Sequence, residues 1–359
     1  MKITKVLSVI FILTSVAFPA EGKGYFDIKL IKKGKDFSFP IFRDPPGQRS
    51  AMKINHLLQL MELRSLANGP TKDIFRNAEF DDGTIYGGKA SILPTVHSNN
   101  SRVQSVGFDQ SSCGMTCAYW HSYYNFNSGN GDLIQLKDLF TDKGFDRFTK
   151  IVMSKRSSKY RREVKEKIKP DEREDYLGVL GTIESDQLSD FYIRTRSIVI
   201  DGENCLIKGR KFEGLDMYVR FDLKEFKPLL NDYGRAVFGL NLSDISKFRS
   251  NSLPQLFKGR VNDLIPFSLV LIGSSDNVVG VYAYSKYGKG ITLTGSLEDG
   301  KFLLTEHYLV EVPLNPNTDV SHRLVDGGSI SGIFNGNNIE GTLSDKDKTR
   351  SYRFRASRN

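Results

Sequence analysis

Five histidines, His56, His97, His121, His307 and His322, have the widest chemical range of any residues in this sequence. None stands in an H-x-x-x-H or H-E-x-x-H arrangement, which sets two imidazoles on one helical face for zinc, so local spacing gives no metal site. His121, beside Tyr119 and Trp120, reads as a strand residue. No G-x-S-x-G elbow for a serine hydrolase and no phosphate-cradling glycine loop occurs. Asn125 to Gln135 has the Asn and Gly content of the start of a calcium loop, but Leu136 stands where the twelfth-place Glu is needed, which favours a plain turn. Carboxylate pairs of a glycosidase meet only in space. Glu306 and Glu311 lie on one stretch among aromatics, yet their odd separation sets them on opposite faces of a regular strand.

Three cysteines, Cys113, Cys117 and Cys205, allow one disulfide and leave one thiol. In an extended strand Cys113 and Cys117 would sit about 13 Å apart, too far to bridge. Gly114 between them lets the chain loop tightly. A local Cys113–Cys117 bond, with Cys205 reduced and buried, is therefore expected, and a long-range bond from Cys205 is the alternative. Nothing near this C-x-x-x-C spacing resembles a redox-active helix start.

The stretch Met115 to Phe140 is the one that must position these groups. Tyr119, Trp120, Tyr123, Tyr124 and Phe126 suit a strand packed on at least one face. Asn127 to Gly131 tolerates positive φ and reverses the chain. A second short strand over Leu133, Ile134 and Leu136 then leads into a helix whose buried face is Phe145, Phe148, Ile151 and Val152. Beyond Met153 that helix turns basic, from Lys155 through Arg161, Arg162 and Lys165 to Lys169, and Pro170 stops it. A solvated face is the plain explanation of such a run, and an anion-binding surface is the functional one.

Lys2 and Lys5, an apolar core from Val6 to Val16 and small residues up to Ala17 or Ala20 make residues 1–20 a secretory signal peptide. The apolar run is too short to span a bilayer, and no later stretch is long and apolar enough for a membrane helix. Removing Lys2 and Lys5 lowers the formal charge from +9 to +7. A basic exported protein is drawn to anionic envelope polymers, lipid head groups or acidic proteins, and export takes it away from nucleic acid.

About 340 residues remain, comfortable for two domains. Residues 21–250 read as α+β. Strands fall near Phe26–Leu30 and Phe37–Ile41, a helix runs from Ser50 to about Leu66, and Asn68-Gly69-Pro70 ends it. Antiparallel strands follow over Thr84–Val96 and Arg102–Asp109, and later over Phe191–Ile200 and Leu215–Phe221. Asp222, with Glu225 three residues on, caps a short helix. Between Phe238 and Pro266 the periodicity fades into a linker, with the boundary near Asn251. Residues 251–359 carry evenly spaced short strands without helical pattern, the signature of an all-β sandwich or small barrel.

Several of these parts resemble a known family. Phe39-Pro40, Ile54-Asn55 before Leu58, Tyr124-Asn125-Phe126, the run Gly131 to Phe140, and Val219 to Leu223 leading into Lys227 to Leu230 resemble, over roughly residues 25–240, a bacterial envelope domain of unassigned activity. That domain occurs in lysozyme-binding anti-sigma factors and beside the catalytic domain of some peptidoglycan deacetylases. This chain has Asn127 where the family has an Asp, and no membrane helix precedes the domain, which argues against transmembrane signalling. The C-terminal segment resembles a β module of exported proteins. Neither resemblance supplies catalytic residues.

The reading is therefore an exported, periplasmic or secreted, α+β domain followed by an all-β domain, acting as a non-catalytic binding module without cofactor or metal. Its expected partner is cell-wall glycan, another envelope polymer or a lysozyme-like protein, and not nucleic acid. Tyr119, Trp120, Tyr123, Tyr282 and Tyr284 are the aromatic contact candidates, because such faces stack on sugars and anchor interfaces. Arg161, Arg162 and Lys165 are the basic ones. The alternative is a cell-wall hydrolase using unidentified carboxylates.

Overall fold

The computed structural model describes residues 24–67, 73–79, 88–113, 117–178, 180–181, 188–202, 215–250, 253–274, 277–313 and 320–358, without the side chains of 79, 274, 309–313 and 320–324. The expected leader at residues 1–20, Cys205, the expected Asn68–Pro70 helix stop and the start of the expected Thr84–Val96 strand lie outside these residues.

The first sheet takes β1 (Asp27–Lys33), β2 (Phe37–Arg43), β3 (Ser91–Asn99), β4 (Val103–Cys113) and β5 (Cys117–Asn127) in spatial order. All its pairs are antiparallel except β2–β3, which meet in parallel at Phe37 and Ile92. Helix α1 (Ser50–Leu58) covers one face, burying Ala51, Ile54, Leu57 and Leu58 on Phe39, Phe42, Val106 and Phe108. It was expected to reach Leu66. It instead passes into a π turn, Gln59–Leu63, and stops at Arg64, which is left-handed at φ 48°. The next residues are drawn off to the last domain: Leu66 donates to the Gly288 carbonyl and the Arg64 carbonyl accepts from Gly290. Tertiary pairing here overrides a helical sequence pattern.

A one-turn helix α2 (Arg76–Glu79) precedes β3. After β5 the expected second hairpin strand is absent. Leu133 makes only an isolated bridge to Phe126, and Leu136–Leu139 is a 3-10 turn closed by a reciprocal Gln135–Asp138 capping box. That box satisfies two backbone donors locally and turns the chain into a helical turn, so pairing with β5 stops after Ile134 N–H reaches the Asn125 carbonyl.

Helix α3 (Asp142–Lys167) starts at a Thr141 cap and buries Phe148, Val152, Tyr160 and Val164. It leads through a 3-10 turn into α4 (Arg173–Leu177). A second, three-stranded sheet follows: β6 (Phe191–Arg194), β7 (Ser197–Ile200) and β8 (Val219–Asp222). Helix α5 (Leu223–Phe226) opens with the expected Asp222–Glu225 capping box, and α6 (Asp232–Val237) closes this part.

The stretch read as a linker is neither loose nor strand-free. Asn127 donates to the Ile245 carbonyl at 2.7 Å, and Asn130 donates to the carbonyls of Ser246 and Phe248, so the turn after β5 pins it. From Gln255 it is already sheet. The eight strands β9 (Gln255–Val261), β10 (Ile265–Ser274), β11 (Asn277–Tyr284), β12 (Gly290–Glu298), β13 (Lys301–Pro313), β14 (Val320–Phe334), β15 (Asn338–Ser344) and β16 (Ser351–Arg358) form a closed antiparallel barrel in which β9 pairs with both β10 and β16. An eight-stranded barrel is just wide enough for side chains to fill. Phe257, Phe267, Leu269, Leu293, Ile330 and Phe354 do so, leaving an apolar cavity of only ≈ 10 Å³. The outer wall is not bare either: Leu256, Val270, Val281 and Ala283 join the core beneath α1.

Candidate functional site

Alternation along β5 decides which side chains meet. Trp120, Ser122, Tyr124 and Phe126 share one face, and Tyr124 and Phe126 reach the core under α1. Tyr119, His121, Tyr123 and Asn125 share the other, toward the second sheet. The expected aromatic group of Tyr119, Trp120 and Tyr123 is thus split between two faces.

Asn125 fixes the second sheet against the first. Wholly buried, it donates to the Phe191 carbonyl at 2.9 Å while its own carbonyl accepts from Ile193 N–H at 2.9 Å and Ser105 Oγ at 2.7 Å. This side chain does for β6 what a neighbouring strand would do. Asp201 directly follows the adjoining β7, and the docking sets it over β5.

Asp201 is the centre of the site, with its side chain fully buried. Tyr123 donates its hydroxyl to Asp201 Oδ2 at 2.9 Å, and His121 Nδ1 lies 3.1 Å from the same oxygen. His121 Nε2 faces Asp109 Oδ1 at 3.3 Å, and the Tyr218 hydroxyl is 3.3 Å from both the Tyr123 hydroxyl and His121 Nδ1. Carboxylates only accept, so the imidazole satisfies both acids when both nitrogens carry protons. Burial, followed by the Asp201 charge, pushes the Tyr123 phenol far above its ordinary range and keeps it a donor.

Behind this cluster His97 stacks on Tyr192 with ring centroids 3.8 Å apart, and Tyr192 packs on Tyr123 at 5.3 Å. Gly107 makes the room, since a Cβ there would stand 2.8 Å from His97 Nε2 and 3.0 Å from the Tyr123 ring. Burial, with Arg194 as the second cause, lowers His97 to about 4, so it is neutral at pH 7.

The basic helix joins the same neighbourhood. Lys159 pairs with Asp216 at 2.8 Å and donates to the Tyr218 carbonyl, and the Arg156 guanidinium packs against Gly202, next to Asp201. Its cations divide into two sets. Lys155 pairs with Glu225, Lys167 with Glu163, and Arg156 is wholly buried. Arg161, Arg162 and Lys165 are exposed, and none makes an ion pair among the described residues. At helical spacing these three fall within about 100° of arc.

Tyr119 is 77% exposed on the His121 face, and Trp120 is half-buried on the other. Tyr282 and Tyr284 lie elsewhere, in the barrel. Tyr282 is fully buried inside it and donates to Glu306, which also accepts from the Tyr308 hydroxyl at 2.7 Å and from Gly328 N–H at 3.1 Å. Tyr284, partly buried, packs edge-on to Tyr282. Tyr282 is therefore core rather than contact surface, because its face of β11 points into the closed barrel. A bulge between Thr305 and His307 breaks the alternation used to separate Glu306 from Glu311, whose side chain lies outside the described residues.

Asp109, Asp201, Tyr192 and Tyr218 carry no local signal of a site in the sequence. Asp201 stands 80 residues from His121, and no local spacing signals that meeting. Among the described residues no group of three His, Cys, Asp or Glu side chains is placed to hold a metal. In the turn that resembled a calcium loop, the single carboxylate, Asp132, is held by cations. Cys113 and Cys117 are disulfide-bonded and directly opposed across β4 and β5, closing the end of the hairpin that carries Tyr119. No helix among the described residues is long and apolar enough to cross a membrane.

The fold thus defines an α+β unit carrying an eight-stranded barrel, with an aromatic–carboxylate cluster beside the Arg156–Lys159 side of a basic helix. No known protein-family model matches the chain, and it matches no curated protein.

Proposed function

We propose that this is an exported binding module whose exposed α3 cations and β5 edge hold an anionic or glycan-bearing partner of the cell envelope without turning it over. One observation carries the reading: of the cations on the second half of α3, Lys155, Lys159 and Lys167 are engaged by carboxylates of the same chain, while Arg161, Arg162 and Lys165 are presented together, exposed and without carboxylate partners among the described residues. Tyr119 offers an aromatic face suited to a sugar ring. The leader at residues 1–20 and the resemblance to envelope domains point to cell wall, an envelope polymer or a lysozyme-like protein as the partner. With a carboxylate at each ring nitrogen, a substrate could reach His121 only by displacing one of them.

A second reading, hydrolysis of the same polymer, draws on Asp109 and Asp201, two carboxylates on either side of one imidazole. Incubation of the purified protein with purified wall separates the two. Binding predicts protein in the pellet and no soluble sugar in the supernatant. Sugar release that is lost in Asp109→Asn would replace binding with catalysis.

A further inference from the structure

We propose that the cleft between α1 and the outer wall of the barrel is a second ligand site, one that takes a ligand bearing oxyanion groups, phosphate or carboxylate. The cleft encloses ≈ 630 Å³, within the usual range of small-molecule sites. Met52 and His56 of α1 form one wall, and β16, β9 and β10 form the floor.

The floor is basic by construction. Phe257 and Val261 point into the barrel, so Lys258 and Arg260 between them point out. Register then sets Arg260 directly opposite Arg355 on β16. Like charges directly opposed across a sheet are destabilising, and the fold retains them.

The relief available within the protein is partial. Asp263 lies 4.0 Å from Arg355 and also serves Arg353 at 3.6 Å, while Arg260 reaches only the Asp263 backbone carbonyl. Glu340 opposes Arg355 from the other side. Arg355 Nε is nonetheless buried with no hydrogen-bond acceptor among the described residues. Lys258 has no carboxylate there, and its ammonium meets only the Met52 sulfur, at 3.4 Å.

An ammonium without a counter-ion and two opposed arginines, whose outer guanidinium nitrogens face one cleft, are satisfied together by a ligand oxyanion. Guanidinium groups bind such oxygens in a planar, paired geometry. The Ser268 hydroxyl, 3.1 Å from His56 Nδ1, adds a neutral donor on the same floor. Burial, with Lys258 as the second cause, lowers His56 to about 4, so at neutral pH the imidazole does not repel Lys258.

The test is titration calorimetry of the full chain at low ionic strength, with tripolyphosphate and citrate as separate probes of the two oxyanion sources. At least one is expected to bind. A Lys258→Gln/Arg355→Gln variant should weaken that binding tenfold or more, while Arg161→Gln/Arg162→Gln/Lys165→Gln should leave it within twofold. The second comparison separates this cleft from the α3 face, so either site can fail without the other. If the double variant does not fold, Lys258→Gln alone carries the comparison, with an expected loss of threefold or more. No heat with either probe, or wild-type affinity in the cleft variants, overturns the proposal.

Discussion

Asp132, in the turn after β5, accepts from the Arg358 guanidinium at 2.9 Å although the two residues stand 226 apart in sequence. Both are nearly buried, and the same carboxylate also meets Lys53 of α1 and, at 3.2 Å, Arg249 of the segment entering the barrel. One carboxylate thus ties the first sheet, its covering helix and the last strand of the barrel. Removing one partner of a buried ion pair leaves the others uncompensated and costs about 3–5 kcal/mol. Asp132→Ala should therefore lose that much in urea denaturation, and Arg249→Ala, half exposed, much less. A loss below about 1 kcal/mol for Asp132→Ala would refute the clamp.

Asn125→Ala should loosen the second sheet. It leaves the Phe191 carbonyl buried without its donor and the Ile193 N–H with only the Ser105 hydroxyl at 3.4 Å, and a buried group left unpaired costs about 1–3 kcal/mol. Hydrogen exchange should show faster exchange over β6 and β7 than over the barrel. Uniform acceleration through the whole chain would contradict Asn125 as a local fastening.

Acid should destabilise the fold before carboxylate titration dominates. His56 and His97 each have a folded-state pKa of about 4, below the ordinary histidine value, so the unfolded chain binds protons that the native state refuses. Their contribution is fully present above about pH 6.5 and is lost as pH falls toward 4, at about 2 kcal/mol per histidine by pH 5. Denaturation midpoints measured from pH 7.5 to 5 should fall accordingly, and less steeply in His97→Gln once its own stability at pH 7.5 is subtracted. A flat profile, or equal slopes, would falsify the burial argument.

Breaking the Cys113–Cys117 bond should have a modest effect. The loop it closes is short, with the cysteines four residues apart, and loop entropy assigns such a crosslink about 2 kcal/mol. Cys113→Ser/Cys117→Ser should fold and unfold at slightly lower urea. Loss of folding altogether would show that the bond holds more than this hairpin end.

How much of this was legible in the sequence depends on contact range. The aromatic strand, the Asp222–Glu225 cap and the barrel strands from Ile265 onward follow from period-2 patterning and local turn chemistry. Strand β9 was not visible, because Gly259 and the outward Lys258 and Arg260 make it look like linker, and only pairing with β10 and β16 makes it sheet. The early end of α1 has the same origin, the bridge between Ser65 and Lys289. Of the candidate site, the basic residues of α3 were legible, but which of them stay free depends on Glu225 and Asp216, far along the chain. Asn127 shows a finer limit. Its side-chain N–H donates to the Ile245 carbonyl, which an ionised Asp could not do, and only the folded chain shows that use.

The reading of α3 as the binding face rests on three exposed cations, and their reversal tests it most directly. Affinity for purified cell wall should be measured by co-sedimentation for wild type and for Arg161→Glu/Arg162→Glu/Lys165→Glu, from low to physiological salt. Exposed substitutions usually change stability by no more than about 0.5 kcal/mol each, so the variant should fold. The account predicts wild-type binding that weakens as salt screens it over about 8 Å, and a tenfold or greater loss in the folded variant. Salt-independent binding that the folded variant retains in full would contradict it.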